Sequence, residues 1–137
     1  MTVLVPNRSI KALSEASDPK KAILEMVGDL NGIEIFSDMV LVASYVRPEK
    51  TSGGIYRPTS NVQEDVWQGK VGLVLKWGPD AFVDPETGNL YDQVADVGDW
   101  VVFKVGDGWS MTIKDVACRL VRDTNIKMKI QNPQAVL

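Results

Sequence analysis

The chain has 137 residues, of which 45% are hydrophobic and 24% charged, with one cysteine, no histidine and a formal net charge of −3. This length fits one domain that buries a core without disulfides, and no apolar run approaches the roughly 20 residues that span a bilayer. The acidic balance argues against nucleic acid as a partner, and the lack of histidine removes the commonest general base and metal ligand. We therefore expect partners that are proteins rather than nucleic acid or membrane, and the lack of histidine disfavours a hydrolase; we expect no metal or cofactor. The single cysteine fits a reducing, cytoplasmic compartment.

Residues 1–32 are predicted to form a helical extension at the periphery of the protein. Ser17 and Asp18 offer N-cap oxygens, Pro19 suits the first helical position and Gly28 can end the helix. One face of this segment is apolar, through Ala22, Ile23, Met26 and Val27. The pattern predicts a short amphipathic helix near residues 19–27.

The spacing of apolar residues changes at Ile33 from a helical to a strand-like period. This change marks the start of a predicted β domain, residues 33–137. Residues 39–46 form an apolar, β-rich run of strand length, which predicts a buried strand. Residues 47–66 follow, rich in proline, glycine, serine and charge in their first part, and cannot sustain a regular element. We expect a long, mobile loop there.

Strand patterns return after the loop and continue almost to the end of the chain. Alternation over residues 71–77 predicts a half-buried strand, and the turn residues at 84–89 predict a projecting hairpin. Three further strands are predicted over residues 100–105, 109–113 and 116–121. Several short strands at near-regular spacing favour an all-β fold, a small barrel or sandwich.

The last predicted strand has one dry and one wet face. Its apolar positions Ile126, Met128 and Ile130 alternate with Lys127 and Lys129. A terminal edge strand of this kind invites pairing with another chain. We therefore predict that the three apolar residues contribute to contacts within a homo-oligomer.

Three sets of residues could have a chemical role, and for each of them a structural role is favoured. Cys118 lies in an apolar alternation, where burial suppresses the thiolate, so we expect a packed structural cysteine. A metal or carboxylate site near the predicted hairpin is conceivable, but a solvated turn is favoured for Asp80, Asp84 and Glu86. A base-stacking platform is also conceivable, but core or interface positions are favoured for Trp67, Trp77, Trp100 and Trp109.

The long loop is the part of the sequence that packing does not explain, because structureless segments of this length are usually functional or disordered. Within it, Ile55 and Tyr56 follow the glycine pair Gly53 and Gly54. A short apolar anchor on a glycine hinge suits docking into a groove on a partner protein. The alternative is that both side chains fold back onto the barrel.

The sequence from about residue 38 to 130 resembles the GroES-type co-chaperonins, which cap the double-ring chaperonin during assisted folding. The segments that carry the resemblance are residues 38–42, 51–55, 68–71, 97–103 and 115–121. Each segment is weakly specific alone, and the resemblance lies in their order and spacing.

The resemblance implies a small, partly open GroES-like β-barrel, a ring of subunits joined by terminal strands, a roof hairpin over residues 79–96 and a mobile binding loop. The partner-binding residues that it implies are Gly53, Gly54, Ile55, Tyr56 and Arg57. Arg57 departs from the wholly aliphatic anchor of the family.

Two uses of this barrel remain open. The first is a co-chaperonin that caps a GroEL-like chaperonin ring through the loop and assists protein folding without chemistry of its own. The second is a virion structural protein, in which the barrel decorates or cements a capsid and binds the capsid protein. The helical extension and the altered anchor are similar to diverged, bacteriophage-encoded members, for which the location would be the host cytoplasm or the virion.

Overall fold

A computed structural model describes residues 18–45, 71–104 and 108–133. The described residues form one helix, six strands and one short 3₁₀ turn, so the expected all-β fold is confirmed. The elements are α1 (Pro19–Val27), β1 (Met39–Ser44), β2 (Val71–Trp77), β3 (Trp100–Phe103), β4 (Trp109–Ile113), β5 (Val116–Arg122), the 3₁₀ turn (Asp123–Asn125) and β6 (Ile126–Ile130).

Helix α1 begins and ends as its sequence predicts. The Asp18 carboxylate accepts a hydrogen bond from the backbone N–H of Lys21 at 3.2 Å, and Pro19 occupies the first turn. Gly28 ends the helix at a φ of 62°, where its N–H donates to the carbonyl of Leu24 at 3.1 Å. Both termini are therefore capped by the residues that the pattern indicated.

The six strands form a single antiparallel sheet in the order β4-β5-β1-β2-β3-β6. Four strand spacings separate β5 from β6, about 19 Å in a flat sheet. Only the 3₁₀ turn joins Arg122 to Ile126, which spans at most about 14 Å. The sheet must therefore curl, and because β4 and β6 do not pair within the described residues, the barrel is only partly closed.

Each face of the curled sheet carries its own apolar core. The inner core lies on the concave face, since Val121 of β5 and Ile126 of β6 both pack into it. The outer core lies on the opposite face and includes the side chains of Leu41, Leu73 and Cys118. Strand β1 is apolar on both faces for this reason, with Val40 and Leu41 at most 1% exposed.

The prediction of a half-buried strand over residues 71–77 is wrong, because β2 is buried on both faces. Val71, Leu73 and Leu75 face the outer core as the alternation suggested, but Val74 between them is fully buried in the inner core. The second face of β2 is therefore buried as well, in the inner core that Phe82, from the segment after the strand, also enters.

Helix α1 packs directly on the sheet. Ile23 and Val27 are 1% exposed and belong to the outer core together with strand residues. Two lysines hold the chain that follows the helix: Lys76 Nζ donates to the carbonyls of Leu30 and Ile33, and Lys114 Nζ donates to the carbonyl of Asp29 at 3.0 Å. The boundary between residues 1–32 and 33–137 stays a prediction, while the helix itself shares its core with the sheet.

Gly78 offers a test of packing where β2 ends. A Cβ at this position would overlap the carbonyl oxygen of Ser37 and lie 2.8 Å from that of Phe36. We expect Gly78→Ala to lower the free energy of unfolding by about 1–3 kcal/mol, as overpacking does. Urea denaturation measures this, and Gly32→Ala is the matched control because nothing lies within 4 Å of its Cβ position. Equal stability of the two variants would contradict the packing at Gly78.

Candidate functional site

The predicted binding loop lies outside the described residues, and so do Gly53, Gly54, Ile55, Tyr56 and Arg57. Their role in binding a partner stays a prediction. The residues on either side of the loop are described, and they define how it is attached to the sheet.

The two ends of the segment 46–70 meet at one point of the sheet. The backbone N–H of Tyr45 donates to the carbonyl of Val71 at 2.9 Å, so the last residue before the segment is bonded to the first residue after it. The Tyr45 ring packs edge-on against Trp100, with centroids 5.4 Å apart and an interplanar angle of 75°. This T-shaped pair and the burial of Tyr45 fix the root of the segment.

The predicted roof hairpin forms only in part. Between residues 79 and 96 a single bridge joins Val83 to Leu90, and the turn is closed by the N–H of Asp84 donating to the carbonyl of Asn89 at 2.8 Å. The expected two extended limbs are therefore reduced to one residue pair. Leu90 is 55% exposed and Tyr91 is 45% exposed, so this turn presents apolar side chains to solvent.

The carboxylates near the roof turn either stabilise the turn or are exposed to solvent. The Asp84 carboxylate accepts from the N–H of Glu86 at 2.9 Å, as a turn-forming aspartate does. Asp80 and Glu86 are exposed. Across residues 18–45, 71–104 and 108–133, no three His, Cys, Asp or Glu side chains are grouped so that they could hold a metal ion.

The base of the roof turn is held by a contact that the sequence did not reveal. Phe82 is buried with a φ of 60°, a conformation that is rare for a bulky side chain. Its N–H donates to the buried carboxylate of Asp123 at 2.8 Å, across 41 residues of sequence. No local sequence pattern predicts this pair, because Phe82 and Asp123 meet only when the sheet curls.

We expect Asp123→Ala to lower the free energy of unfolding by about 1–3 kcal/mol, because it leaves the buried N–H of Phe82 without its acceptor. Asp123→Asn keeps a side-chain oxygen and should lose less. Urea denaturation of the two variants measures the difference, and amide exchange at Phe82 locates it. Equal stability of both variants and wild type would contradict the role of this hydrogen bond.

Strand β6 places its three apolar residues in different surroundings, so the prediction of one dry and one wet face is wrong. A register shift between Val102 and Phe103 turns Ile126 into the inner core, whereas Ile130 packs against the outer core. Met128 is 47% exposed. The predicted oligomer contact through these residues stays a prediction, with Met128 as the apolar side chain still accessible.

Cys118 is a structural residue, as expected. Its side chain is 1% exposed within the outer core, and burial raises the pKa of the thiol to about 12. A thiol in this position carries almost no thiolate at neutral pH, so it does not act as a nucleophile.

The described tryptophans do not share a surface. Trp100 is buried in the outer core, Trp77 packs against the inner core and Trp109 is 70% exposed on β4. Trp67 lies outside the described residues. These three rings therefore do not form a base-stacking platform. Among the described residues, no helix has the length and apolar character required to cross a membrane.

The fold and these surfaces define a small, partly closed antiparallel β-barrel that carries a long segment between β1 and β2 and a short roof turn. The family model of the chaperonin 10 kDa subunit matches residues 32–130, so the chain belongs to the chaperonin 10 kDa subunit family. The resemblance to GroES-type co-chaperonins is thereby confirmed. A search of curated proteins found no match.

Membership of this family gives the protein a GroES-like co-chaperonin kind of function. The family is non-enzymatic, and its members associate with one another and with GroEL-like chaperonins.

Proposed function

We propose that the protein caps a chaperonin ring through the loop at residues 47–66 and assists protein folding without catalysing a reaction. The observation that carries this proposal is the family match over residues 32–130, which includes the whole loop and both strands that flank it. Gly53, Gly54, Ile55, Tyr56 and Arg57 are the proposed contact residues.

The root of the loop supports this use. Because Tyr45 and Val71 are joined by a backbone hydrogen bond, the residues between them can be captured by a partner without disturbing the β1–β2 ladder. The partner then meets the entropy cost of ordering the loop, which keeps each individual contact weak and reversible. Several copies in one ring raise the overall affinity through effective concentration.

Self-association is part of the proposal. We assign β6, with Ile126, Met128 and Ile130, to the contact between copies, and we place the complex in the cytoplasm, or in the host cytoplasm if a bacteriophage encodes it. The barrel and its roof turn then form the lid, and the loops of the ring reach the chaperonin together.

Sedimentation of the purified protein with a double-ring chaperonin, with and without ATP, tests the proposal. We expect the protein to form oligomers alone and to sediment with the chaperonin only when nucleotide is present. Oligomers that bind no chaperonin under either condition would overturn the proposed function. Recovery at fixed stoichiometry in purified virus particles would instead favour the capsid role.

A further inference from the structure

An exposed turn joins helix α1 to the chain that leads into β1. The N–H of Ile33 donates to the carbonyl of Leu30 at 3.0 Å, which closes a four-residue turn with Asn31 and Gly32 at its two central positions. Both central residues are exposed. They form the only Asn-Gly pair in the sequence, and in such a pair a backbone nitrogen can attack the side-chain amide that precedes it.

Glycine at position 32 is not required by the fold. Its φ lies outside the left-handed region, and nothing lies within 4 Å of the position that a Cβ would take. Gly28 differs, because it ends α1 at a φ of 62°. An alanine would therefore fit at position 32, and the property that glycine alone provides there is an unhindered backbone nitrogen next to Asn31.

The two groups that react in an Asn-Gly pair are accessible at this turn. The backbone N–H of Asn31 donates to the Asp29 carboxylate at 2.8 Å. Within residues 18–45, 71–104 and 108–133, neither the side-chain amide of Asn31 nor the N–H of Gly32 forms a hydrogen bond. The amide can therefore approach the nitrogen of Gly32 without breaking a contact.

We propose that Asn31 is a site of spontaneous deamidation, and that its conversion to isoaspartate loosens the attachment of α1 to the sheet. The nitrogen of Gly32 forms a bond to the side-chain carbonyl carbon of Asn31, and the bond from that carbon to Nδ2 breaks. Nδ2 takes up the proton of the attacking nitrogen and leaves as ammonia. Water then opens the cyclic imide at either carbonyl, which gives aspartate or isoaspartate.

Isoaspartate would alter the backbone between two carbonyls that one lysine holds. Lys76 Nζ donates to the carbonyl of Leu30 at 3.1 Å and to that of Ile33, and both residues pack against the outer core. In isoaspartate the side-chain methylene becomes part of the main chain, so one carbon is added between these carbonyls. The spacing that the ammonium group bridges is then lost, and the link from the end of α1 to β2 is weakened.

Incubation of the full chain in mildly alkaline buffer, followed by tryptic mapping, tests the site. Residues 22–50 form one tryptic peptide, in which Asn31 is the only asparagine. We expect this peptide to gain a carboxylate as ammonia is released, in aspartate and isoaspartate forms that electron-transfer fragmentation distinguishes. The intact chain should become one unit more negative than its formal net charge of −3, which ion-exchange chromatography detects.

Gly32→Ala is the matched control, because it adds a methyl group beside the attacking nitrogen where the fold has room for it. This variant should keep Asn31 as the amide over the same period. Asn89, which is exposed and precedes Leu90, should also keep its amide in the wild-type chain. An unmodified Asn31, or equal rates in wild type and Gly32→Ala, would overturn the proposed site. Conversion only in the urea-unfolded chain would overturn it too, since the folded turn would then protect Asn31.

The stability of the separated products tests the consequence. The isoaspartate form should unfold at a lower urea concentration than freshly purified Asn31→Asp, because both carry the new charge but only isoaspartate has the longer backbone. Equal midpoints would overturn the loosening of α1. Neither measurement involves a chaperonin, so the outcome is independent of the proposed function.

Discussion

Replacing Ile23 by alanine should lower the free energy of unfolding of the whole protein by about 2–5 kcal/mol. Ile23 belongs to helix α1, yet its side chain is 1% exposed and packs in the outer core beside strand residues. Truncation to alanine removes buried methyl groups and leaves a cavity between the helix and the sheet. Guanidinium denaturation followed by tryptophan fluorescence measures the change, because Trp100 lies in the same core.

Leu24→Ala provides the control for that experiment. Leu24 is the next residue on the same helix but is 39% exposed, so its truncation should change stability by less than about 1 kcal/mol. If residues 1–32 were an independent extension, Ile23→Ala would leave the unfolding transition of the sheet unchanged. A loss confined to helix signals would contradict a shared core.

The local elements of this fold could be predicted from sequence because their signals are local. Asp18, Pro19 and Gly28 define the limits of α1 by capping chemistry, which acts within one helical turn. The strands over residues 109–113 and 116–121 were predicted within one residue of β4 and β5, because a turn separates two β-rich runs.

The errors concern contacts between residues far apart in the chain. The alternation over residues 71–77 predicted one exposed face for β2, because the sequence of the strand does not reveal that Val74 and the more distant Phe82 share the inner core. Ile126 and Ile130 were placed on one face because a strict alternation ignores the register shift opposite them, between Val102 and Phe103. Periodicity gives the faces of a strand, but the remainder of the fold decides which faces are covered.

The candidate site was also predictable only in part. The family was predictable because five short segments occur in the right order, and residues 32–130 match the family model. The contact residues Gly53, Gly54, Ile55, Tyr56 and Arg57 lie outside the described residues, so their role stays a prediction. The contact between Tyr45 and Trp100, at the point where segment 46–70 leaves the sheet, was not predicted, because these rings lie on non-neighbouring stretches of the chain.

Ile55→Asp should abolish chaperonin binding while leaving the barrel folded. If Ile55 is the apolar anchor, the substitution removes its buried surface and forces a carboxylate into an apolar groove. Loss of one such anchor costs about 2–4 kcal/mol, or roughly a 30- to 1,000-fold weaker contact per loop. Because all loops of an oligomer carry the change, the loss of avidity should be larger still.

Two measurements make that result specific. Ser60→Asp adds the same charge to the same segment outside the proposed anchor, so it should bind the chaperonin nearly as wild type does. An unchanged thermal melting curve for Ile55→Asp shows that the fold is intact, as expected for a residue in the segment whose two ends are joined by the hydrogen bond between Tyr45 and Val71. Full binding by Ile55→Asp would remove Ile55 from the contact, and unfolding of the barrel would mean that this side chain belongs to the core of its own subunit.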